Sequence, residues 1–101
     1  MMTETAVKTR DLVATRIKEP PKYKVLLIND DYTPVDFVIA LLMTIFKHDE
    51  VSATAVTLKI HNEGSGVAGV YTYEIAEQKA MDSTLIARNN NHPLQIKVEE
   101  E

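Results

Sequence analysis

The stretch Y-K-V-L-L-I-N-D-D-Y-T-P at residues 23–34 constrains the fold of this chain more than any other. Its first six residues are an almost unbroken apolar run, which predicts a strand buried on both faces. Its end predicts a helix that begins at Pro34, with Thr33 as the N-cap and Asp36 completing a capping box. We therefore expect a strand and a helix joined by a very short polar connection.

Length and composition exclude several classes of protein. A chain of 101 residues with 45% hydrophobic residues is long enough for one domain with one modest core. The 15 acidic residues outnumber the 11 basic ones, which argues against a nucleic-acid-binding surface. The chain has no cysteine, no secretory leader pattern and no apolar run long enough to span a bilayer. We expect a cytoplasmic domain that contacts neither nucleic acid nor membrane.

One segment of the chain, residues 52–63, is ambiguous between helix and strand. Val56, Leu58 and Ile60 alternate with polar residues, as in a half-buried strand. A possible N-cap at Ser52 and a possible C-terminal cap at Gly64 favour a helix instead. We predict a helix, which would place Thr57, Ile60 and His61 on one face because of their spacing.

The other elements follow from periodicity and from the glycine and proline residues between them. Their predicted ranges are 34–48 (helix), 67–71 (strand), 72–86 (helix) and 94–98 (strand). The predicted fold is a single small α+β domain with order βααβαβ, in which three helices cover one face of a three-stranded antiparallel sheet. Residues 1–21 are predicted to be a flexible extension and residues 22–101 the folded core.

The polar connection after the first strand is the main candidate site. Asn29 is expected to form an Asx-turn, whereas the adjacent carboxylates of Asp30 and Asp31 repel each other, so that at least one is expected to need a cationic partner. Together with His61 these residues could form a hydrolase site, a metal site or a site for an ammonium group. The hydrolase lacks a nucleophile motif and the metal site lacks a local ligand motif, and His48 and His92 are expected to face solvent.

The ammonium interpretation is the only one of the three that uses the amide, the carboxylate and the imidazole together. All three groups can accept hydrogen bonds from one ammonium, provided that the imidazole is neutral. His61 has an alternative role, because an imidazole at the end of a helix also interacts favourably with the helix dipole. The residues alone leave both roles open for His61.

Four motifs in the same order and spacing resemble the ClpS family. They are Y-K-V-L-L-I-N-D-D-Y-T-P with F-V-I after it, H-N-E-G at 61–64, G-V-Y-T-Y-E-I-A-E at 69–77 and N-H-P-L at 91–94. The resemblance covers residues 22–98. It implies a bacterial adaptor, not an enzyme and without a cofactor, that binds proteins with a bulky hydrophobic N-terminal residue (N-degrons) and delivers them to the ClpA unfoldase of the ClpAP protease.

The resemblance also implies roles for individual residues. It assigns the substrate ammonium and first peptide group to Asn29, Asp30 and His61, and the surface that meets the ClpA N-domain to Glu74 and Lys79. It assigns the side-chain pocket to Thr33, Val38, Ile60 and Leu94. Val35 and Thr57 occupy two further pocket positions where the family usually has methionine, which leaves the substrate range open.

The resemblance implies a monomer as well. A different class of protein remains as the alternative: a structural interaction module resembling the C-terminal domain of the ribosomal stalk protein, which has the same topology. The N-D-D and His61 constellation distinguishes the two, because a stalk module has no use for an amine site.

Overall fold

A computed structural model of the chain describes residues 20–101. The predicted extension at 1–21, apart from its last two prolines, lies outside the described residues. The elements are β1 (Tyr23–Ile28), α1 (Val35–Thr44), α2 (Glu50–Glu63), β2 (Ser65–Tyr71), α3 (Tyr73–Asn89) and β3 (Gln95–Glu100). No helix within this part of the chain is long and apolar enough to cross a membrane.

The three strands form an antiparallel sheet of order β2-β1-β3, with β1 at its centre. Ile28, the last residue of β1, pairs with Ser65 at the start of β2 and with Gln95 at the start of β3. The predicted α+β class, βααβαβ order and antiparallel sheet are confirmed. One end of the sheet thus collects the connection from β1 to α1, the connection from α2 to β2 and the connection from α3 to β3.

The core lies between the helices and one face of the sheet. Val25 and Leu27 of β1 are completely buried there, whereas Leu26 and Ile28 on the opposite face are only half-buried. The prediction that β1 is buried on both faces was therefore wrong for one face. Burial of β1 on both faces conflicts with the predicted placement of all three helices on one face, and a continuous apolar run does not by itself distinguish the two cases.

The ambiguous segment is a helix, as predicted, but it begins earlier than the sequence suggested. Asp49, not Ser52, is the N-cap of α2, and its carboxylate accepts a hydrogen bond of 2.8 Å from the Ser52 backbone N–H. Gly64 is the C-cap in the left-handed conformation, with a φ of 94°. This conformation favours glycine because it has no Cβ, so the predicted helix end is confirmed.

A β-bulge in β2 explains the position of His48. Val25 pairs with Gly69 and Leu26 with Val67, which leaves Ala68 as the extra residue. The His48 Nε2 lies 2.6 Å from the Ala68 carbonyl oxygen, and its Nδ1 lies 2.7 Å from the Ser52 hydroxyl. Since a carbonyl can only accept, Nε2 must carry a proton. His48 therefore has a structural partner on each ring nitrogen and does not simply face solvent, as the sequence had suggested.

Candidate functional site

The loop after β1 is organised around the Asp30 carboxylate. Its Oδ1 accepts hydrogen bonds from the backbone N–H groups of Tyr32 at 2.7 Å and Thr33 at 2.8 Å. Its Oδ2 accepts a further bond of 2.8 Å from the Thr33 hydroxyl. The Asx-turn therefore forms at Asp30 and not at Asn29. A carboxylate has about four lone-pair positions, so these three bonds leave Asp30 able to accept one more.

These bonds correct two expectations for the start of α1. The N-cap of α1 is Pro34, with no side-chain hydrogen bond, because the Thr33 hydroxyl is directed to Asp30. Asp30 is also held in place by neutral donors of its own loop, so it does not require a cation in order to be ordered. A short sequence window cannot show which of two competing local partners a threonine hydroxyl selects.

The electrostatic environment keeps Asp30 ionised. Partial burial raises the pKa of this carboxyl, but the hydrogen bonds from Thr33 and Tyr32 and the positive charge of His92 lower it by more. The pKa of Asp30 therefore lies below its ordinary value. At neutral pH this side chain is an anionic acceptor with a fixed orientation.

The lowered pKa of Asp30 predicts a pH-dependent contribution to stability. The contribution is complete above the ordinary pKa of about 3.9 and is lost as the pH falls through the lower pKa of the folded state. At pH 7 we expect Asp30→Asn, which keeps the shape and removes the charge, to lower the free energy of unfolding by about 1 kcal/mol. Urea unfolding of both proteins from pH 7 down to pH 2.5 checks this, because the difference should shrink below about pH 4. A difference that does not change with pH would show that the charge is not responsible.

The loop, α1 and α2 enclose a cavity of about 270 Å³. The Asn29 backbone N–H donates a bond of 2.9 Å to the Gly64 carbonyl, which ties the end of β1 to the end of α2. The cavity is lined by Asn29, Asp30, Asp31, Thr33, Val35, Val38, Thr57, Ile60 and His61. All of the residues assigned to the amine site, and all but one of those assigned to the side-chain pocket, therefore lie around one cavity.

The inner walls of this cavity are mainly apolar. Val38, Thr57 and Ile60 are buried, whereas Val35 is 57% exposed. The Thr57 hydroxyl donates a bond of 2.8 Å to the Ala53 carbonyl one turn earlier, so its proton is already engaged. The cavity therefore combines an acceptor-bearing loop with an interior that suits an apolar group.

Gly66 of β2 supports this wall and was not singled out from the sequence. A Cβ at this position would lie 2.9 Å from Cγ1 of Ile60, so glycine allows α2 to pack closely against β2. A glycine inside a strand is a general signal of close approach, but it does not identify the approaching residue. Asp31, which the sequence suggested only for the hydrolase and metal alternatives, also lines the cavity.

Leu94 is not among the residues that line the cavity. It is 1% exposed and packs in a separate part of the core with Leu41 and Ala87. Its assignment to the side-chain pocket rests on the family resemblance and stays a prediction. Leu94 directly precedes β3, and its buried position reflects packing between this strand and the helices.

Glu74 and Lys79 lie on α3, away from the cavity lining. Glu74 is exposed in the first turn of the helix. The Lys79 ammonium donates a bond of 2.8 Å to the Ile45 carbonyl and lies 5.3 Å from the centre of the Tyr71 ring. Lys79 therefore also stabilises the fold, since its positive charge lies beside the partial negative charge at the C-terminal end of α1.

The geometry defines a small α+β domain with a cavity suited to a ligand that has a hydrogen-bond donor and an apolar group. Within residues 20–101, no three His, Asp or Glu side chains are arranged to hold a metal ion. The family model for the ATP-dependent Clp protease adaptor protein ClpS matches residues 18–97. The chain belongs to the ClpS family of Clp protease adaptors.

Individual relatives agree with this assignment. The ATP-dependent Clp protease adapter protein ClpS of Shewanella pealeana is 46% identical over 98 residues, which cover 97% of this chain and 96% of the relative. The protein of the same name from Campylobacter jejuni strain RM1221 is 50% identical, covering 93% of this chain and 98% of the relative. The structure of Agrobacterium tumefaciens ClpS2 bound to L-phenylalaninamide has a TM-score of 0.79 and 38% identity, covering 82% of this chain and all of that one. A stalk-like module is not favoured by these matches.

Proposed function

We propose that this chain binds the free N-terminus of proteins that begin with a bulky hydrophobic residue and delivers them to the ClpA unfoldase of ClpAP. The observation that carries the proposal is the cavity in which the ionised Asp30 carboxylate adjoins apolar walls. The ligand of the Agrobacterium relative is complementary to these two features. L-phenylalaninamide carries an α-ammonium group, which suits a carboxylate, and an aromatic side chain, which suits apolar walls.

In this proposal, Asn29, Asp30 and His61 bind the ammonium and the first peptide group. An ammonium has three donors, and each of these side chains offers an acceptor when the imidazole is neutral. Asp30 supplies the opposite charge. Its remaining lone pair is on Oδ2, the oxygen that accepts the hydrogen bond from the Thr33 hydroxyl. Because the loop orients the carboxylate before the ligand arrives, little order has to be created on binding.

The apolar interior would receive the first side chain. Thr33, Val35, Val38, Thr57 and Ile60 are the pocket residues of this proposal. Leu94 is the sixth pocket residue that the family resemblance implies, although it packs with Leu41 and Ala87 and does not line the cavity. No residue is assigned a catalytic role, and no cofactor is needed for an adaptor that only binds and delivers.

Delivery requires a second surface, which we assign to Glu74 and Lys79 on α3 as the contact with the ClpA N-domain. Glu74 is exposed and does not line the cavity, whereas the Lys79 ammonium already donates a hydrogen bond to the Ile45 carbonyl within the fold. We further propose that the chain acts as a cytoplasmic monomer, with residues 22–101 as the binding core and residues 1–21 as an extension used in delivery.

Removing residues 2–17 is expected to leave peptide binding unchanged and to slow degradation by ClpAP. Among residues 20–101, those that line the cavity belong to the loop, α1 and α2, whereas the family resemblance assigns the extension to engagement by the unfoldase. The test compares the dissociation constant of a Phe-initiated peptide with the rate at which ClpAP degrades a Phe-initiated model substrate. Glu74→Ala serves as the control that weakens docking of the adaptor. Full-rate delivery by the shortened chain would contradict the prediction.

A further inference from the structure

A second cavity, which no part of the proposed function uses, lies beside the first. It is an open hollow of about 690 Å³ lined by Tyr32, Arg88, Asn91, His92, Pro93 and Gln95. These residues come from the loop after β1, the end of α3, the connection from α3 to β3 and the start of β3. A concave surface with several converging polar groups is a candidate ligand site, and we call this one the second hollow.

The two cavities share the loop that carries Asp30. The Tyr32 backbone N–H donates to the Asp30 carboxylate, while the Tyr32 side chain lines the second hollow. The positive charge of His92, also in the second hollow, lowers the pKa of Asp30. Two residues of extended chain span about 7 Å. A peptide whose ammonium lies at Asp30 and whose chain runs toward Tyr32 would carry its second and third residues over the second hollow.

The rim of the second hollow is held in place by the fold. Nη1 of Arg88 donates to the carbonyls of His92 at 2.9 Å and Leu94 at 2.7 Å. The His92 ring packs edge-on against Phe37, with centroids 4.6 Å apart. A guanidinium carries five donors, and these bonds use only those of one nitrogen. The Arg88 side chain is thus fixed in position and still has donors to offer.

The polar groups in the second hollow match a peptide backbone better than they match a charged ligand. Asn91 and Gln95 each present an amide that both donates and accepts, and the Tyr32 hydroxyl does the same. An extended chain presents N–H and C=O groups in alternation, which such side chains can pair with regardless of sequence. Tyr32 is 79% exposed, so its ring is available to lie against a bound chain. The neighbouring Asp30 and Asp31 offset the positive charge of Arg88, so the charges around the hollow do not select an anionic ligand.

We propose that the second hollow binds the backbone of the second and third residues of the N-degron, independently of their side chains. The proposal rests on the proposed function, because it requires the substrate ammonium to be bound at Asp30. In this proposal the binding site contacts the first three residues of the substrate and not the first residue alone. An adaptor that serves many substrates gains affinity in this way without losing generality.

The test compares L-phenylalaninamide with the tetrapeptide Phe-Ala-Ala-Ala-amide by calorimetry. L-phenylalaninamide carries the ammonium and the ring but no second residue, so only the tetrapeptide can reach the second hollow. We expect the tetrapeptide to bind at least about fivefold more tightly, the effect of one net hydrogen bond. Gln95→Ala should reduce this advantage by more than half and leave the affinity for L-phenylalaninamide unchanged. Tyr32→Ala should reduce the ratio of the two affinities by more than half, and the ratio is used because the Tyr32 backbone also holds Asp30. Gln78→Ala, on an exposed part of α3, is the matched control and should keep the full advantage.

The possible outcomes separate this inference from the proposed function. Failure of both ligands to bind would contradict the proposed function itself. Equal affinity for the two ligands in the unmodified protein would overturn only the second hollow as a subsite. A tetrapeptide advantage that survives in both Tyr32→Ala and Gln95→Ala would also overturn it, because the chain would then run elsewhere. Amide chemical shifts of Asn91 and Gln95 provide a readout without any variant, and should move with the tetrapeptide only.

Discussion

Acetylating the N-terminus of a Phe-initiated peptide is expected to weaken its binding to this chain by more than about tenfold. Acetylation removes the positive charge and converts an ammonium with three donors into an amide with one. Loss of one partner from a hydrogen-bonded charged set costs about 2 to 5 kcal/mol when the set is desolvated. Asp30 is only partly buried, so we expect the lower part of this range. Fluorescence anisotropy with free and acetylated versions of one peptide measures the effect.

Two neighbouring carboxylates provide a matched pair of variants for the same experiment. Asp30→Ala should weaken binding of the free peptide strongly and should make the protein nearly insensitive to acetylation. Asp31→Ala removes the same charge from the next residue, which lines the cavity but makes none of the hydrogen bonds that hold the loop. It should retain most of the affinity. Equal binding of free and acetylated peptides to the unmodified protein would rule out an amine site at Asp30.

We expect the side-chain pocket to prefer Phe, Tyr and Trp to Leu by about tenfold. Val35 and Thr57 are shorter and stiffer than methionine, which can adapt its shape to the ligand. Since the Thr57 hydroxyl is bonded to Ala53, its side chain is held in one orientation. A leucine would leave part of the cavity unfilled, and a missing methylene-sized contact is worth about 1 to 3 kcal/mol. Peptides that differ only in a first residue of Leu, Ile, Phe, Tyr or Trp measure the preference.

The double variant Val35→Met, Thr57→Met tests the cause of this preference. It should raise the affinity for the Leu peptide and leave the acetylation effect unchanged, because Asp30 is held by its own loop. A small shift of α2 could instead fill the space in the unmodified protein. In that case Leu would bind as tightly as Phe, or the double variant would gain nothing for Leu, and the explanation would be wrong.

The sequence predicted the parts of the fold that depend on local pattern. The apolar stripe of α1 and the alternation in β3 gave the correct element types, and Gly64 marked the end of α2 correctly. The order of these elements was enough to predict the sheet with helices on one face. Periodicity and capping act over a few residues, so a short window contains them.

The errors concern choices between partners that only the folded chain decides. The Thr33 hydroxyl could cap α1 or bind Asp30, and both options satisfy the same local chemistry. His48 could face solvent or bind a backbone group, and the bulge in β2 places the Ala68 carbonyl where the imidazole can donate to it. The assignment of Leu94 to the pocket is a different case, because it came from family resemblance alone and stays a prediction. The second hollow draws on three separate elements, so no local motif could have indicated it.

The Asp30 carboxylate is held by hydrogen bonds within the turn from Asp30 to Thr33, whereas most of the pocket walls come from two helices. In the proposed site, the charged acceptor for the amine is therefore positioned separately from Val35, Val38, Thr57 and Ile60, although His61 shares α2 with two of them. Under the proposed function, changes at these four positions can alter which first residues are accepted while the requirement for an unmodified N-terminus persists. Diversification of substrate choice in such a protein carries little risk of capturing internal segments of other proteins, which have no terminal amine to present.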